Sequence, residues 1–323
     1  MVNLKDVAKR AGVSVSTASY SINGSKLISD DTKKKVLDAA REIGYRPNGM
    51  AKNLKKQKTN IVGLFLSGFS GPFFTEMMEG IQDVVMSKGY ELVVCASADR
   101  HRLLVESYVD GAIILNYHME DHLLESLANE KLPIIMLDRE LKGPYIKNVL
   151  LPNEKGSAMM VNYLISKGHK RIGFIAGSME SYDGETRLKG FIKELKNNNI
   201  SFLERDLLRA EFTELSGYYQ MSSYLEQMGN DLPTAMVCAN DEMAFGAIRA
   251  IQENGLNVPD DIAIVGFDDI YASQNYNPPL TTIKVPRKQW GTIAAQSLLQ
   301  MLDNQYDFEP EPILVELISR TSS

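Results

Sequence analysis

Leu4-Lys5-Asp6-Val7-Ala8-Lys9-Arg10-Ala11-Gly12-Val13-Ser14-Val15-Ser16-Thr17-Ala18-Ser19 is the stretch that decides how the N-terminal part of the chain folds. Leu4, Val7, Ala8 and Ala11 recur at helical spacing and predict a short amphipathic helix. Gly12 breaks it, because glycine takes the backbone angles of a tight turn without a Cβ clash. Ser14 can cap a second helix running to Asn23, with Val13, Ala18 and Ile22 facing inward. Asn23-Gly24 is a turn signal. Ser29 or Asp30 can cap a third helix whose inward positions are Val36, Ala40 and Ile43, and Gly44 ends it. Three short helices with a tight turn after the first make a helix-turn-helix domain.

Charge separates this segment from the rest. Residues 1–60 hold 13 Lys+Arg against 5 Asp+Glu, a net of +8, whereas the whole chain is −6, which leaves −14 on the remainder. A basic head on an acidic body suits phosphate binding by the head alone, although a merely solvated basic face would give the same count. No run of about 18 apolar residues predicts a membrane span, and the N-terminus lacks an apolar signal-peptide core. A cytoplasmic protein is therefore expected. Cys95 and Cys238 each sit in an apolar run and read as small buried hydrophobes, not as a disulfide or a metal pair.

Residues 4–19, continued by Ile43-Gly44-Tyr45-Arg46-Pro47-Asn48, closely resemble the headpiece signature of the lac repressor/gal repressor (LacI/GalR) family. The resemblance implies that the second helix lies in the major groove, with its N-terminal residues at base edges. It places Ser14, Val15, Ser16, Thr17, Tyr20, Asn23, Ser29, Tyr45, Asn48, Ala51, Leu54 and Lys55 at the DNA. Val15, Ser16 and Tyr20 are the reading positions among them. Ser can donate to or accept from bases, and Val can touch a thymine methyl. Tyr20 stands where many relatives carry Arg. It has one hydroxyl and no bidentate fork, so it either changes the preferred base pair or contacts a phosphate. Residues 47–56 are similar to the family's hinge helix, which is too short to persist alone in water. There the resemblance implies that Leu54 wedges into the minor groove and kinks the operator. Gly49 departs from the Arg common in the family and is expected to soften the hinge.

Beyond Asn60 the pattern changes. Apolar strand-like runs at 61–66, 92–96, 111–115, 133–137, 149–151, 172–176, 235–238 and 262–265 are mostly separated by helical stretches at 73–88, 154–167, 184–198, 216–228 and 241–253. This alternation predicts parallel sheets with helices on both faces. The stretches 171–177, 240–246, 264–269 and 279–283 resemble the same family, so the likeness covers nearly the whole chain. The fold class expected is α/β: an N-terminal helix-turn-helix headpiece plus a two-lobed domain similar to periplasmic binding proteins. The boundaries are 1–58 for headpiece and hinge and 59–323 for an effector-binding and dimerisation domain. Its first lobe spans about 60–151 plus 286–304, and its second about 152–285 plus 305–323.

Open α/β sheets bind ligands beyond the carboxyl ends of their strands. Ser67, Asp138, Arg139, Asn240 and Asp268 follow predicted strands. Arg187 and Phe212 match positions where the family places an arginine on the ligand and an aromatic on its ring. The effector set is thus Ser67, Asp138, Arg187, Phe212, Asn240 and Asp268. Asp241 reads better as a helix N-cap, Phe73 and Phe74 as core, and His101 as solvent-exposed. The segment 97–106 is several residues shorter than is usual in the family, which puts the first lobe's second helix in question.

No His/Cys cluster has zinc spacing, no Gly-rich nucleotide loop appears, and the strand-end polar residues form no catalytic set. No cofactor, metal or enzymatic activity is expected. A transport-type sugar-binding protein would need a signal peptide and no basic head, the reverse of what is present. The expected protein is a transcriptional repressor, homodimeric on an inverted-repeat operator and switched by a small molecule. A sugar is the leading class of effector and a purine-like corepressor the second.

Overall fold

The computed structural model describes residues 2–47, 58–69, 71–97 and 100–323. The chain divides into two compact units, Met1–Thr59 and Asn60–Ser323. In the first, α1 (Leu4–Ala11), α2 (Val15–Ile22) and α3 (Asp30–Glu42) enclose a small core of Val7, Ala8, Ala11, Ala18, Val36, Ala39 and Ala40. Each helix begins on a side-chain cap. Asn3 accepts from the Lys5 and Asp6 amides while Asp6 accepts from the Asn3 amide. Ser14 caps α2 through the Thr17 amide at 3.0 Å, and Ser29 caps α3 through Thr32. Gly12 closes α1 at φ 63°, a left-handed conformation that a side chain would strain. Alanines make up most of this core, and Arg10 of α1 pairs with Glu42 of α3 across its edge.

The second unit is built on two sheets. The first has the order β2-β1-β3-β4-β5, from β1 (Ile61–Leu66), β2 (Glu91–Ala96), β3 (Gly111–Leu115), β4 (Ile134–Met136) and β5 (Ile146–Asn148), all parallel. Its connecting helices are α4 (Phe74–Ser87), α5 (Arg102–Val105) and α6 (Asp121–Leu127). The second sheet runs β11-β10-β9-β8-β6-β7. Its strands are β6 (Ile172–Ala176), β7 (Leu207–Arg209), β8 (Ala235–Cys238), β9 (Ala263–Asp268), β10 (Thr281–Lys284) and β11 (Glu316–Ile318), with only β11 antiparallel among the described strands. Here α7 (Asn153–Ser166), α8 (Tyr182–Asn197), α9 (Glu214–Met228) and α10 (Asp241–Glu253) supply the crossovers. After β10 the chain returns to the first sheet as α11 (Arg287–Leu302) and packs on α4. Glycines permit that contact: a Cβ on Gly80 would lie 2.1 Å from the Lys288 carbonyl, and one on Gly291 2.1 Å from the Met77 carbonyl.

Several sequence expectations change. The run 149–151 is not a strand. The ladder forms one step earlier, with Ile146 opposite Ile134, and Val149 and Leu151 are buried in the segment that leaves β5 for α7. The shortened segment after β2 keeps a single helical turn, α5, anchored by fully buried Leu104. His101 before it is half-buried, not solvent-exposed. Cys95 is likewise half-buried, because β2 is an edge strand, while Cys238 is buried and its thiol is pushed up by that burial. Both cysteines are free.

Candidate functional site

Parallel strands of both sheets end at one cavity of about 250 Å³ within the second unit. Ser67, after β1, and Asp138, after β4, line it from the first. Arg187, Phe212, Asn240 and Asp268 line it from the second. All six effector candidates are therefore brought together around one space.

Arg187 lies in the second turn of α8, which begins at Tyr182. It is 3% exposed. Its Nε donates to Asn153 Oδ1 at 2.9 Å and its Nη1 to the Ala239 carbonyl at 2.6 Å. Its guanidinium carbon sits 3.8 Å from the centroid of the Phe267 ring. The same Nη1 is 3.6 Å from Asp268 Oδ1, an ion pair too long for a hydrogen bond. The arginine is thus fixed by the second sheet and presents a set charge to the cavity.

Asp268 ends β9 at φ 120° and Asp269 follows at φ 51°, both in the left-handed half of backbone space. For non-glycine residues such angles cost on the order of 1–3 kcal/mol and persist only where surroundings enforce them. Two donors from Arg287 do so, Nη1 to the Asp268 carbonyl and Nη2 to the Asp269 carbonyl at 3.3 Å. The Asp268 Oδ1 has no hydrogen-bond partner although the residue is 5% exposed. Burial raises its carboxyl to about 8, against the opposing pull of Arg187. Asp138, 4% exposed, repeats the pattern across the cavity. Its Oδ2 accepts from Arg139 Nη1 at 3.1 Å, its Oδ1 has no partner, and burial raises it to about 7. Arg139 itself turns away to Asp121 and the Met119 carbonyl and does not line the cavity.

Phe212 adopts φ 58° and lays its ring on Gly177, where a Cβ would meet a ring carbon at 2.1 Å. The backbone there is held by Asn240, whose Nδ2 donates to the Phe212 carbonyl at 2.9 Å. Asn240 Oδ1 accepts from the Met243 amide at 2.9 Å, so Asn240, not Asp241, is the N-cap of α10. Asn240 keeps one N–H and one lone pair for the cavity. Asp241 is fully buried behind it, accepting from the Ile270 amide, Ser273 and Thr282, and does not reach the cavity. Phe73 and Phe74 pack on the core, as expected, and also line the cavity. Sequence reasoning missed Tyr117, Tyr182, Asp183, Glu211 and Glu242, which line the same space. Tyr117 lies just past β3, and the strand-end rule that found Ser67 would have reached it.

On the headpiece, Val15, Ser16 and Tyr20 form an exposed edge of α2, with Val15 43% and Tyr20 51% exposed. Ser14 and Ser29 are committed to caps, Thr17 shares a hydrogen bond with Ser14, and Asn23 donates to the Ser19 carbonyl. Tyr45 packs partly into the three-helix core. Asn48, Ala51, Leu54 and Lys55 lie outside the described residues.

Comparison with known proteins gives a consistent result. The profile for bacterial regulatory proteins of the lacI family matches residues 3–48, and that for a periplasmic binding protein-like domain matches residues 161–323. The HTH-type transcriptional repressor PurR of Proteus mirabilis is 35% identical over 329 residues, covering 98% of this chain and 96% of its own length. The HTH-type transcriptional regulator RegA of Clostridium saccharobutylicum is 34% identical over 99% of both chains. Among solved structures, the lac repressor dimer bound to operator and the anti-inducer ONPF superposes with a TM-score of 0.84 at 31% identity, over 99% of this chain and 98% of that one. A complex of the transcriptional regulator CelR with cellobiose gives 0.74 at 28% identity over the full length of both.

Proposed function

The chain belongs to the lacI family of bacterial regulatory proteins, DNA-binding transcriptional repressors and not enzymes, and from that premise we propose that a sugar bound in the cavity switches its hold on operator DNA. The observation that carries the ligand class is the pair of buried carboxylate oxygens, Asp138 Oδ1 and Asp268 Oδ1, left without partners on opposite sides of one cavity. Leaving a buried acceptor unsatisfied costs about 1–3 kcal/mol, more for a charged one. A ligand that donates to both removes that cost, and a polyol presents hydroxyl donors in several directions. Phe212 offers an apolar face and Arg187 a fixed donor, the mixture usual for small-molecule sites. Solved relatives in complex with cellobiose or ONPG support a sugar. A planar nitrogenous base is the second reading, because Phe73, Phe74, Tyr117 and Phe212 give the cavity aromatic walls.

The headpiece uses Val15, Ser16 and Tyr20 at base edges, with the basic charge of residues 1–60 supplying phosphate affinity. The chain acts as a homodimer on an inverted repeat, since one headpiece reads one half-site. Leu54 serves as the minor-groove wedge. Ligand fixes the angle between the lobes, and that angle sets the spacing of residues 47–58 across the dimer. The test is operator affinity with and without the sugar that most stabilises the protein thermally, for wild type, Asp268→Ala and Arg187→Ala. Both variants are expected to keep ligand-free operator affinity and lose the response. A wild-type response in both variants would place the effector elsewhere.

A further inference from the structure

We propose that Asn153 is a positioning residue for the effector: its side-chain amide holds Arg187 and Asp183 at the cavity wall and so keeps Asp268 open to a ligand. The proposal rests on the reading of this cavity as the effector site and adds to it a residue that is not among those lining it.

Asn153 is the first residue of α7 and is 3% exposed. Asparagine at a helix start is commonly a cap, its side-chain oxygen accepting from an amide two or three residues on. Here it is not. Pro152 occupies the cap position, and no side chain caps this helix. Both ends of the Asn153 amide turn instead to α8. Its Nδ2 donates to Asp183 Oδ1 at 2.6 Å, and its Oδ1 accepts from Arg187 Nε at 2.9 Å. Asp183 and Arg187 stand one turn apart on α8, on one face of the helix, and both line the cavity. An amide suits a place between a carboxylate and a guanidinium, since it offers a donor to one and an acceptor to the other. Burial raises the Asp183 carboxyl, against the pull of Arg187 and of the Asn153 hydrogen bond.

What stands behind Asn153 makes it a fixed support. Gly190 lets α8 meet the start of α7 backbone to backbone: a Cβ there would lie 2.6 Å from Glu154 Cα. On the other side, the Asn153 backbone amide donates to the Leu151 carbonyl at 2.8 Å. The segment leaving the first sheet is held in turn by Trp290 Nε1 on the Val149 carbonyl at 2.7 Å. With Nε on Asn153 and Nη1 on the Ala239 carbonyl, the arginine is tethered at two points. It stops 3.6 Å short of Asp268 Oδ1, the oxygen left without a hydrogen-bond partner. Removing the amide leaves a buried Nε–H without its acceptor. It also frees the guanidinium to close that gap, which would occupy the oxygen now left for a ligand.

The first readout needs no ligand. Full-length protein carrying isotope-labelled arginine gives an Nε–H signal for Arg187, identified by its loss in Arg187→Lys. A buried, hydrogen-bonded N–H exchanges slowly with solvent. Slow exchange is expected in the wild type and in Asn153→Asp, which keeps the acceptor. In Asn153→Leu, which removes it, exchange is expected to be about tenfold faster or more. Thermal unfolding checks that the variants stay folded, and Asn153→Asp keeps the test open where Asn153→Leu does not fold. Unchanged slow exchange in Asn153→Leu overturns the proposal even where no probe binds. The second readout is affinity for whichever of D-glucose, D-galactose, cellobiose, adenine and guanine most stabilises the wild type. Asn153→Leu is expected to weaken it about tenfold or more, near 1.4 kcal/mol. In Asn153→Asp the introduced carboxyl faces Asp183 and Arg187, with Asp268 beyond the guanidinium and Asp138 across the cavity. Two adjoining carboxyl groups share one proton at low pH, which restores the donor to Asp183, and repel when both ionise. The deficit of this variant against the wild type is therefore expected to grow from about pH 6 to about pH 8. A deficit that is flat with pH overturns the bond to Asp183. Wild-type affinity in Asn153→Leu, with binding lost in Arg187→Ala, overturns the positioning role and leaves the cavity as the site. Wild-type affinity in Arg187→Ala as well overturns the site.

Discussion

Replacing Asp268 by Asn should alter the pH profile of stability in a way that isolates one proton. In the folded chain burial raises this carboxyl from 3.8 to about 8. Because the folded value lies above the unfolded one, the native state holds a proton that the unfolded state has released. The wild type therefore loses stability as pH rises from about 4 through 8 and levels off above that. Between about pH 5 and pH 8 this group alone removes roughly 4 kcal/mol, at 1.36 kcal/mol per unit of separation. Asn cannot titrate, so the variant lacks that slope. The pull of Arg187 on the charged form is already contained in the folded value of about 8, so losing that ion pair adds no separate pH-dependent cost. Asp138 and Asp241, each pushed up to about 7 by burial, titrate in both proteins and cancel to first order. Water entering the cavity softens the desolvation, so about 4 kcal/mol is the upper limit. The assay is urea unfolding at the two pH values, followed by fluorescence of Trp290, the single and fully buried tryptophan. A stability gap between wild type and variant that is equal at both pH values, or that moves in favour of the wild type as pH rises, would refute the reasoning.

Effector affinity should rise with pH through the same groups. A ligand that donates to the Asp138 and Asp268 carboxylates favours their ionised forms, so binding releases protons below about 7 and 8 respectively. Calorimetry in buffers of different ionisation enthalpy checks this once the ligand's own titration is subtracted, and proton uptake on binding would contradict it. Gly246→Ala should destabilise the second unit, because its Cβ would lie 2.0 Å from the Glu214 carbonyl and force α9 from α10. The overpacking cost of about 1–3 kcal/mol exceeds the helix-propensity gain of about 1 kcal/mol, which denaturant unfolding can measure. Ser16→Ala should change base preference at one position per half-site by about 1–3 kcal/mol if the contact is to a base edge. Equal loss on all DNA sequences would assign Ser16 to a phosphate.

Much of this architecture is legible because its signals are local. Caps at Ser14 and Ser29, the break at Gly12 and the long apolar strands β1, β3, β6 and β8 each follow from a few adjacent residues. Edge elements are not. Leu207–Arg209 and Glu316–Ile318 are three residues long and only partly buried, too short for periodicity to appear, and they are strands only because a neighbour offers a ladder. The run 149–151 misleads for the opposite reason: it is apolar because it is buried between layers, not because it pairs. Asn240 and Asp241 show a finer limit. Both residue types cap helices, and what separates them is the extended backbone of Asn240, φ −150° and ψ 173°, which depends on where β8 ends. Strand ends named the polar residues around the cavity, but that Asp138 and Asp268 are left without partners there depends on every neighbouring donor and could not be read from either residue.

The two orphaned carboxylates differ in what stands behind them, and that difference bears on how occupancy of the cavity reaches the rest of the chain. Asp138 leans on Arg139, which is tied to Asp121 and to carbonyls of the same sheet, so a ligand pulling on Asp138 loads the first lobe alone. Asp268 leans on Arg287, 5% exposed at the start of α11, where the chain passes from β10 back to the first sheet. Arg287 holds the carbonyls of Asp268 and Asp269 and, through Nη2, Glu76 Oε1 at 3.2 Å on the first turn of α4. A hydrogen bond from ligand to Asp268 thus acts on a residue whose strained backbone is fixed by a side chain that also grips the first lobe. A ligand shifts a conformational balance only by its differential affinity for the two states. Of the two carboxylates, Asp268 is the one held through a side chain that touches both sheets' elements, so differential affinity is expected to arise there, and by reciprocity the operator would act back on effector binding through the same contacts.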